Sequence, residues 1–491
     1  INFGIISVVA KTLFTQIYFL KNVLNILVVF FFLGYLLSCE DDKYISSADA
    51  KLRFSVDTVM FDTIFTTIGS ATQHLKIYNP YDQKVLISSI KLAKGTSSNF
   101  RLNINGISAN EVQNMEIAPM DSMYIFVEVT VDPNGQNLPL VVKDSIEFVT
   151  NTNHQDINLV AWGQDFKLVK GKIAKNTTWT SEKPYLVYSD SYVDSASTLT
   201  IQPGTKVYFH KEAGLHIEGK ILAKGTVDNP ILFHSDRLEA SYQNVPDQWD
   251  GISLYPGSKD NEFSNVEIKN ANIGLMIGNV GVKKTADVKL NNVKIQNMAY
   301  AGIFAVRSDI QAINCLITNC GYYAVALLVS GSYEFNQSTI ANYWHDGYGF
   351  KPRSTSSVYI SNTLTITKDK KDYTGDITKA DFSNCIITGN LSGMNEVSLK
   401  SSTDKVFNYL FNRCVIQFEK VDVFKNNAHY LNCFKISRDS IFVDPYVKYN
   451  FELDSLSRAK DDADKTISKL YPNDLKGRSR FLDAGPDLGA L

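Results

Sequence analysis

The sequence has few cysteines, and their spacing does not fit a disulfide scaffold or a zinc site. Six occur among 491 residues, and one of them, Cys39, stands apart near the N-terminus. The other five lack the paired short spacings of thiolate metal sites and redox motifs: Cys315, Cys320, Cys385, Cys414 and Cys433. We therefore expect no metal and no cofactor, and we interpret these five as small buried apolar residues.

An excess of one charge is also missing. The chain has 49 Lys and Arg against 51 Asp and Glu, a formal net charge of -2. Such a balance creates no long-range field for a polyanion, and no Lys/Arg-rich run or nucleic-acid motif occurs. Nucleic acid is therefore not an expected partner. Hydrophobic residues make up 44% and aromatic residues 12%, which is enough for a large folded core rather than a disordered chain.

An apolar run near the N-terminus, Val23 to Leu37, follows Lys21. It is short for a membrane span of about 20 residues and suits the apolar region of a signal peptide. The alternative is an uncleaved membrane helix. Because the chain opens at Ile1 without Met, we interpret its first residues as upstream sequence or as following an unusual start.

The run ends in Leu36-Leu37-Ser38-Cys39, which resembles the bacterial lipobox, and Glu40-Asp41-Asp42-Lys43 resembles the acidic tag of Bacteroidetes surface lipoproteins. The resemblance implies a signal peptide over residues 1–38, lipidation of Cys39, and a tether over residues 39–50. Several acyl chains would anchor the protein stably to a membrane. The expected location is the outer face of the outer membrane.

Residues 51–166 contain short alternating strands separated by turn residues such as Asn79-Pro80, a pattern typical of an antiparallel β-sandwich. The segments Phe61 to Thr66 and Val127 to Pro133 resemble the immunoglobulin-like module that follows the anchor in Bacteroidetes surface lipoproteins. That resemblance implies a spacer rather than an active site. Asp57 and Asp62 are interpreted as solvent-facing residues, not as an acid/base pair.

Residues 167–491 change to a repeat of brief strands ended by Gly or Pro-Gly, with no room for crossover helices. The repeat has an apolar residue, a spacer, a polar turn residue, and then two inward apolar positions. Seven polar marks follow this phasing: Asn265, Asn292, Asn314, Gln337, Asn362, Asn384 and Arg413. Asn tolerates the left-handed backbone, and stacked Asn amides can bond from coil to coil. The pattern predicts a parallel β-helix with an Asn ladder and, beside it, an internal stack of small residues that includes Cys315, Cys385 and Cys414.

Three further segments resemble the pectate-lyase-like right-handed β-helix superfamily. They are Gln248 to Ile252, the segment from Phe442 to Leu453 as a closing coil, and the tail Arg480 to Ala490. Relatives usually continue beyond such a tail, so a slightly truncated end is expected at Leu491. The predicted fold class is therefore all-β, an immunoglobulin-like sandwich followed by a right-handed parallel β-helix. The superfamily hosts lyases, hydrolases, adhesins and inert stalks, so the fold does not name an activity.

One insertion in the solenoid, Tyr343 to Arg353, combines aromatic, acid/base and basic residues. Its rings could stack on sugars, and its basic groups could hold a uronate carboxylate. The candidate glycan-binding residues are Trp344, His345, Asp346, Tyr348, Lys351 and Arg353. The alternatives are an ordinary surface loop and a catalytic loop. A weaker candidate, alternatively just exposed loop charges, comprises Asp236, Arg237, Asp247 and Asp250.

Two functions follow from these patterns. One is a cell-surface lipoprotein whose β-helix binds an extracellular glycan or a surface protein without catalysis. The other is a polysaccharide lyase or glycoside hydrolase that acts in a groove of the β-helix. Hydrolysis needs two carboxylates about 5 to 10 Å apart, and the phased strands contain no concentrated Asp pair.

Overall fold

The computed structural model describes residues 21, 43–66, 68–132, 140–283, 285–344, 350–366, 371–391, 393, 395–418, 427–436 and 441–491. Cys39 and the predicted signal peptide, apart from Lys21, lie outside these residues. Two compact units are present. Most of the chain up to Val160 forms one, and Ala161–Leu491 forms the other together with Phe61–Ser70 and Thr130–Val142.

The first ten strands form two five-stranded sheets, ordered β1-β3-β8-β5-β6 and β2-β10-β9-β4-β7. Polar and apolar residues alternate along them, as in β8, so one face of each sheet is buried. Phe54 and Phe148, one from each sheet, have ring centroids 4.9 Å apart. The strands are β1 Arg53–Phe54, β2 Thr58–Phe65, β3 Gln73–Tyr78, β4 Val85–Leu92, β5 Phe100–Ile104, β6 Ile107–Ser108, β7 Glu111–Ile117, β8 Ser122–Val129, β9 Leu140–Thr150 and β10 Asn153–Gln164. The immunoglobulin-like assignment stays a prediction, while Asp57 and Asp62 are exposed as expected.

The second unit is a parallel solenoid built on one 24-stranded sheet that winds from β11 to β36. Its early strands are β11 Lys167–Lys172, β12 Thr178–Trp179, β13 Tyr185–Val193, β14 Thr198–Ile201, β15 Lys206–Phe209, β16 Gly214–Ile217, β17 Lys220–Lys224, β18 Ile231–Ser235, β19 Trp249–Leu254, β20 Asn261–Lys269, β21 Ala271–Ile277 and β22 Ala286–Met298.

The later strands of the solenoid are β23 Ala301–Ile313, β24 Leu316–Cys320, β25 Tyr323–Asn336, β26 Thr339–Asn342, β27 Val358–Ser361, β30 Ile377–Ser383, β31 Ile386–Gly389, β32 Val397–Lys400, β33 Leu410–Asn412, β34 Val415–Gln417, β35 Tyr430–Leu431 and β36 Phe434–Ile436. Two antiparallel hairpins lie outside the large sheet: β28 Thr363–Ile366 with β29 Lys371–Thr374, and β37 Phe442–Asp444 with β38 Asn450–Leu453. One short helix, α1 Lys465–Leu470, follows them.

The solenoid core is a set of vertical stacks. Leu290, Ala312 and Phe335 pair in register on successive coils, and Phe335 then pairs with Phe382. The rings of Phe335 and Phe382 are 4.9 Å apart and 5° from parallel, and Phe411 continues the stack 5.0 Å beyond Phe382. Face-to-face burial on consecutive coils gives each coil a well-packed neighbour on both sides.

The Asn ladder is confirmed. Asn265, Asn292 and Asn314 have left-handed backbone. The amide of Asn292 donates to Asn265 Oδ1 at 3.1 Å, and the amide of Asn314 donates to Asn292 Oδ1 at 3.0 Å. The prediction that Asn362 occupies the same turn position as the other polar residues of the repeat was wrong. Phe335 pairs directly with Phe382, while Ile360 pairs with Leu327 on a different side of the solenoid.

A second ladder lies five residues after the first and was missed. Asn270, Asn297 and Asn319 also have positive φ, and the amides of Asn297 and Asn319 donate to the preceding Oδ1 at 3.4 and 3.3 Å. Each coil in this part of the solenoid therefore turns twice at an Asn.

All five described cysteines have free thiols, and the interpretation as buried residues is confirmed for Cys315, Cys320, Cys385 and Cys414, while Cys433 is only partly buried. Cys315, Cys385 and Cys414 are fully buried on the small-residue stack, and their thiols contact carbonyl oxygens of neighbouring residues. Burial raises the pKa of Cys315 and of Cys320 to about 12, so both stay protonated and unreactive.

The C-terminal segment packs against the outside of the coils. Arg480 Nη2 donates to Asn314 Oδ1 at 2.9 Å, and Gln337 Nε2 donates to Ser468 Oγ at 2.8 Å. Phe442 and Phe451 join a buried cluster with outward residues of the sheet. The segment from Phe442 to Leu453 was predicted as a closing coil, but it is an antiparallel hairpin outside the parallel sheet. No helix within the described residues is long and apolar enough to cross a membrane.

Candidate functional site

The outer surfaces of the solenoid differ in chemistry. On one of them, Asp287 and Asp309 pair on adjacent coils, Lys289 pairs with Gln311, and Glu334 follows on the next coil. These side chains line a groove of about 410 Å³. The charges there are largely matched, as in the pair between Lys379 Nζ and Glu334 Oε2 at 2.8 Å.

Another surface carries aromatic rings. It is formed by β16, β19, β21, the first halves of β23 and β25, and β27 and β32. One row of residues at equal register crosses these strands on the outer side: Ser253, Met276, Phe304, Ala326, Tyr359 and Ser398. We call this surface the aromatic face. Because neighbouring strands lie about 4.8 Å apart, side chains at equal register come within contact distance.

Five rings on this face form what we call the aromatic platform: Tyr300, Phe304, Tyr322, Tyr323 and Tyr359. Tyr300 is 4.9 Å from Tyr322 and 5.7 Å from Phe304, and Tyr323 stacks on Tyr359 at 5.3 Å with 16° between the planes. Tyr322 is 48% exposed, and the other four are half-buried. The rings of the platform are therefore packed against the protein on one side and accessible to solvent on the other.

The hairpin β28–β29 borders the platform. Its Leu364 and Tyr373 pack on a small buried cluster that includes Leu328 and Val306, at the edge of the aromatic face. The hairpin lies in the insertion that interrupts the repeat between β27 and β30. The β28–β29 insertion, which interrupts the regular spacing of the repeat, therefore forms one side of the site.

A second group lies on earlier coils of the same face. His216 Nε2 is 3.1 Å from Asp190 Oδ1, Tyr192 stacks on the imidazole at 4.7 Å, and Tyr255 meets it edge-on at 5.8 Å. Neither ring nitrogen of His216 has a hydrogen-bond partner in good geometry within the described residues. Burial and the negative charge of Asp190 raise the pKa of Asp250.

Of the residues proposed in the Tyr343–Arg353 insertion, His345, Asp346 and Tyr348 lie outside the described residues, and Lys351 is exposed. Trp344 is only 6% exposed, and its Nε1 donates to the carbonyl oxygen of Lys351 at 3.0 Å. The ring also lies next to Gly321, immediately before Tyr322. Trp344 thus supports the platform from within, and glycan binding by this loop stays a prediction.

Arg353 is committed to another residue of the protein. It forms a two-pronged ion pair with Glu396, at 2.8 Å from Nη1 to Oε2 and 2.6 Å from Nη2 to Oε1, and both side chains are almost completely buried. The carboxylate of Glu396 also accepts hydrogen bonds from the backbone and hydroxyl of Ser357. The guanidinium was expected to hold a ligand carboxylate, but Glu396 occupies that position.

The weaker candidate set does not act as one group. Asp236 Oδ2 lies 2.7 Å from His210 Nδ1, and burial raises the pKa of the Asp236 carboxyl. Arg237 pairs with Glu239 at 3.0 Å. Asp247 accepts from the amide of Asn272 at 2.9 Å. Only Asp250 has His216 and Asp190 as electrostatic neighbours on the aromatic face.

No set of three or more His, Cys, Asp or Glu side chains within the described parts of the chain is arranged to hold a metal ion. The platform could have been found in the sequence by one signal: Tyr300 and Tyr322 each stand three residues after an Asn of the second ladder, Asn297 and Asn319.

Comparison with known proteins supports the solenoid. Residues 187–340 match the family model described as a right handed beta helix region, which is less than a third of the chain. The prediction of a right-handed β-helix is thereby confirmed, and the match supports the resemblance to the pectate-lyase-like superfamily.

Individual relatives are distant. The chain is similar to Protein bark beetle of Drosophila melanogaster, 39% identical over 79 residues, which is 16% of this chain and 2% of that protein. The chain thus spans a very small part of that relative. A solved family 123 glycoside hydrolase from Clostridium perfringens, reported for glycolipid glycan hydrolysis, covers 24% of this chain and 26% of its own at 8% identity and a TM-score of 0.17. This similarity is too low to indicate a shared fold or function.

Proposed function

We propose that this chain is a cell-surface lipoprotein whose right-handed β-helix binds an extracellular glycan on its aromatic face. The observation that carries the proposal is the aromatic platform, five accessible rings gathered from consecutive coils. A surface protein is the alternative ligand.

The platform suits a sugar for a physical reason. One side of a pyranose ring presents C–H groups, and an aromatic ring gains dispersion and apolar burial against them without needing a charge. The tyrosine hydroxyls at the ring edges can bond to sugar hydroxyls. Because the rings are already fixed by their neighbours, little conformational entropy is lost on binding.

The N-terminal parts of the chain complete the proposal. The two-sheet unit would be an immunoglobulin-like spacer, and Cys39 would carry the lipid that holds the protein on the outer membrane. If so, Cys39→Ser should move the protein from the membrane fraction to the soluble fraction, as measured by fractionating cells that express the full chain. A variant that remains in the membrane fraction would contradict the anchor.

The binding site is tested by a double variant, Tyr322→Ala with Tyr323→Ala. Loss of two stacking rings should weaken glycan affinity at least about tenfold, or about 1.4 kcal/mol, as measured by affinity electrophoresis of the full chain in gels that each contain one polysaccharide. The matched control is Tyr124→Ala with Phe126→Ala, a stacked pair that is 42% and 41% exposed in the N-terminal unit. Binding lost in the control pair and kept in the platform variant would place the site elsewhere.

A second candidate function, glycoside hydrolysis, is favoured by Asp190, His216 and Asp250. Burial and the neighbouring Asp190 raise the pKa of Asp250, and glycoside hydrolysis uses two carboxyl groups, one of which donates a proton. Asp190 and Asp250 lie on the coils before and after His216, so their backbones are about two strand spacings, ~10 Å, apart. If the bound polysaccharide gains reducing ends, and Asp250→Asn stops this while binding persists, the protein is a hydrolase.

A further inference from the structure

Resting on the proposed function, a further question is which class of glycan the platform takes. The electrostatic neighbours of its tyrosines give the first evidence. Burial raises the pKa of Tyr300, and the only other contribution comes from Tyr322. Burial is also the largest cause of the raised pKa of Tyr323. The neighbouring Tyr300, Tyr359 and Tyr322 raise it further. The raised pKa of both rings is therefore caused by burial and by neighbouring tyrosines.

Two of the basic groups that could hold an acidic sugar, Arg353 and Lys379, are engaged elsewhere. Arg353 was the strongest such group in the sequence, and it is buried against Glu396. Lys379 pairs with Glu334 on the charged surface, not on the aromatic face. Recognition of a carboxylate uses Arg or Lys in direct contact, and the rings of the platform supply neither.

Two carboxylates on the aromatic face have the wrong sign for an acidic ligand. Asp190 lies 3.1 Å from His216 Nε2, and Asp250 is close enough to Asp190 for its pKa to be raised by that charge. Exposed carboxylates on a binding surface repel a uronate or a sulfate at low salt, where screening is weak. They do not penalise an uncharged sugar.

We propose that the aromatic platform binds a neutral glycan segment, by stacking against uncharged pyranose rings, and discriminates against acidic polysaccharides. Two predictions follow from a contact without ion pairs. Affinity should be nearly independent of salt, because screening affects only charged contacts. A Tyr322→Phe variant should keep most of the affinity, because it keeps the ring.

The test uses the full chain in detergent and four probes: barley β-glucan, arabinoxylan, galactomannan and polygalacturonate. Affinity is measured at about 0.01 M and about 1 M salt, where the Debye length is about 30 and 3 Å. We expect at least one neutral polymer to be retained, with less than a twofold change between the salts. The Tyr322→Ala/Tyr323→Ala double variant should lose that retention at least tenfold, and polygalacturonate should not be retained.

The outcomes separate the two proposals. Retention of polygalacturonate through the platform, weakened by salt, would overturn the neutral-glycan inference and leave glycan binding intact. Retention of a neutral polymer that the double variant does not weaken would overturn the site. Retention of none of the four polymers would overturn glycan binding itself. Thermal unfolding of the double variant at the wild-type temperature shows that a lost affinity is not a lost fold.

Discussion

Replacing Glu396 by alanine is expected to lower the free energy of unfolding by about 3–5 kcal/mol. The change removes one partner of a fully buried ion pair, and it leaves the guanidinium of Arg353 uncompensated in the interior. The hydroxyl and amide of Ser357 and the amide of Leu391 lose their acceptor as well. Urea unfolding followed by circular dichroism measures the loss.

The matched control is Glu334→Ala. Glu334 pairs with Lys379 at 2.8 Å, but both side chains are more than a third exposed. Such a surface pair contributes about 0–1 kcal/mol because water already solvates both charges. Equal small losses in the two variants would show that the Arg353–Glu396 pair does not organise the insertion next to the platform.

Substituting Gly251 by alanine is expected to cost about 3 kcal/mol or more, because strain and a clash occur together. Gly251 has a φ of +126°, and a Cβ there would lie 1.7 Å from the carbonyl oxygen of Ile273 on the next coil. Two coils can pass at this bulge only if the residue has no side chain.

Gly171→Ala is the control for Gly251. Gly171 also has a positive φ, +66°, but no atom lies within 4 Å of the position of its Cβ. It should therefore cost only the left-handed penalty, about 1–2 kcal/mol. Thermal unfolding of the two variants separates backbone strain from close approach, and a Gly251 variant no less stable than the Gly171 variant would contradict the packing argument.

The ladder turns show how much of the fold a sequence can specify. An Asn that stacks must recur once per coil, so Asn265, Asn292 and Asn314 predict the turn, its left-handed backbone and the coil register together. The motif around Trp249 and Gly251 is equally informative, because the Trp249 ring stacks on Phe209 at 4.0 Å and the glycine lets the next coil approach.

The repeat pattern gave a wrong prediction where an insertion interrupts the coils. Asn362 follows a strand with the right apolar spacing, but β27 lies in another part of the coil and leads into the β28–β29 hairpin. Local pattern cannot distinguish two strands of the same coil, because both alternate. The closing hairpin was mistaken for a coil for the same reason.

The candidate site was harder to predict, because its members meet only through the register. Tyr300, Tyr322 and Tyr359 are unremarkable in the sequence and become one surface when coils stack. The insertion that drew attention is rich in chemistry over a short distance, yet Trp344 and Arg353 use that chemistry inside the protein. A dense local motif is therefore a weaker guide to a solenoid surface than the vertical rows.

The most direct test of the central claim is hydroxyl-radical footprinting of the full chain with and without a saturating retained polysaccharide. We expect Tyr322, Tyr323 and Tyr359 to lose reactivity on binding, while the exposed pair Tyr124 and Phe126 keeps its reactivity. A saturated complex in which Tyr322 and its neighbours react as they do in the free protein would contradict the central claim.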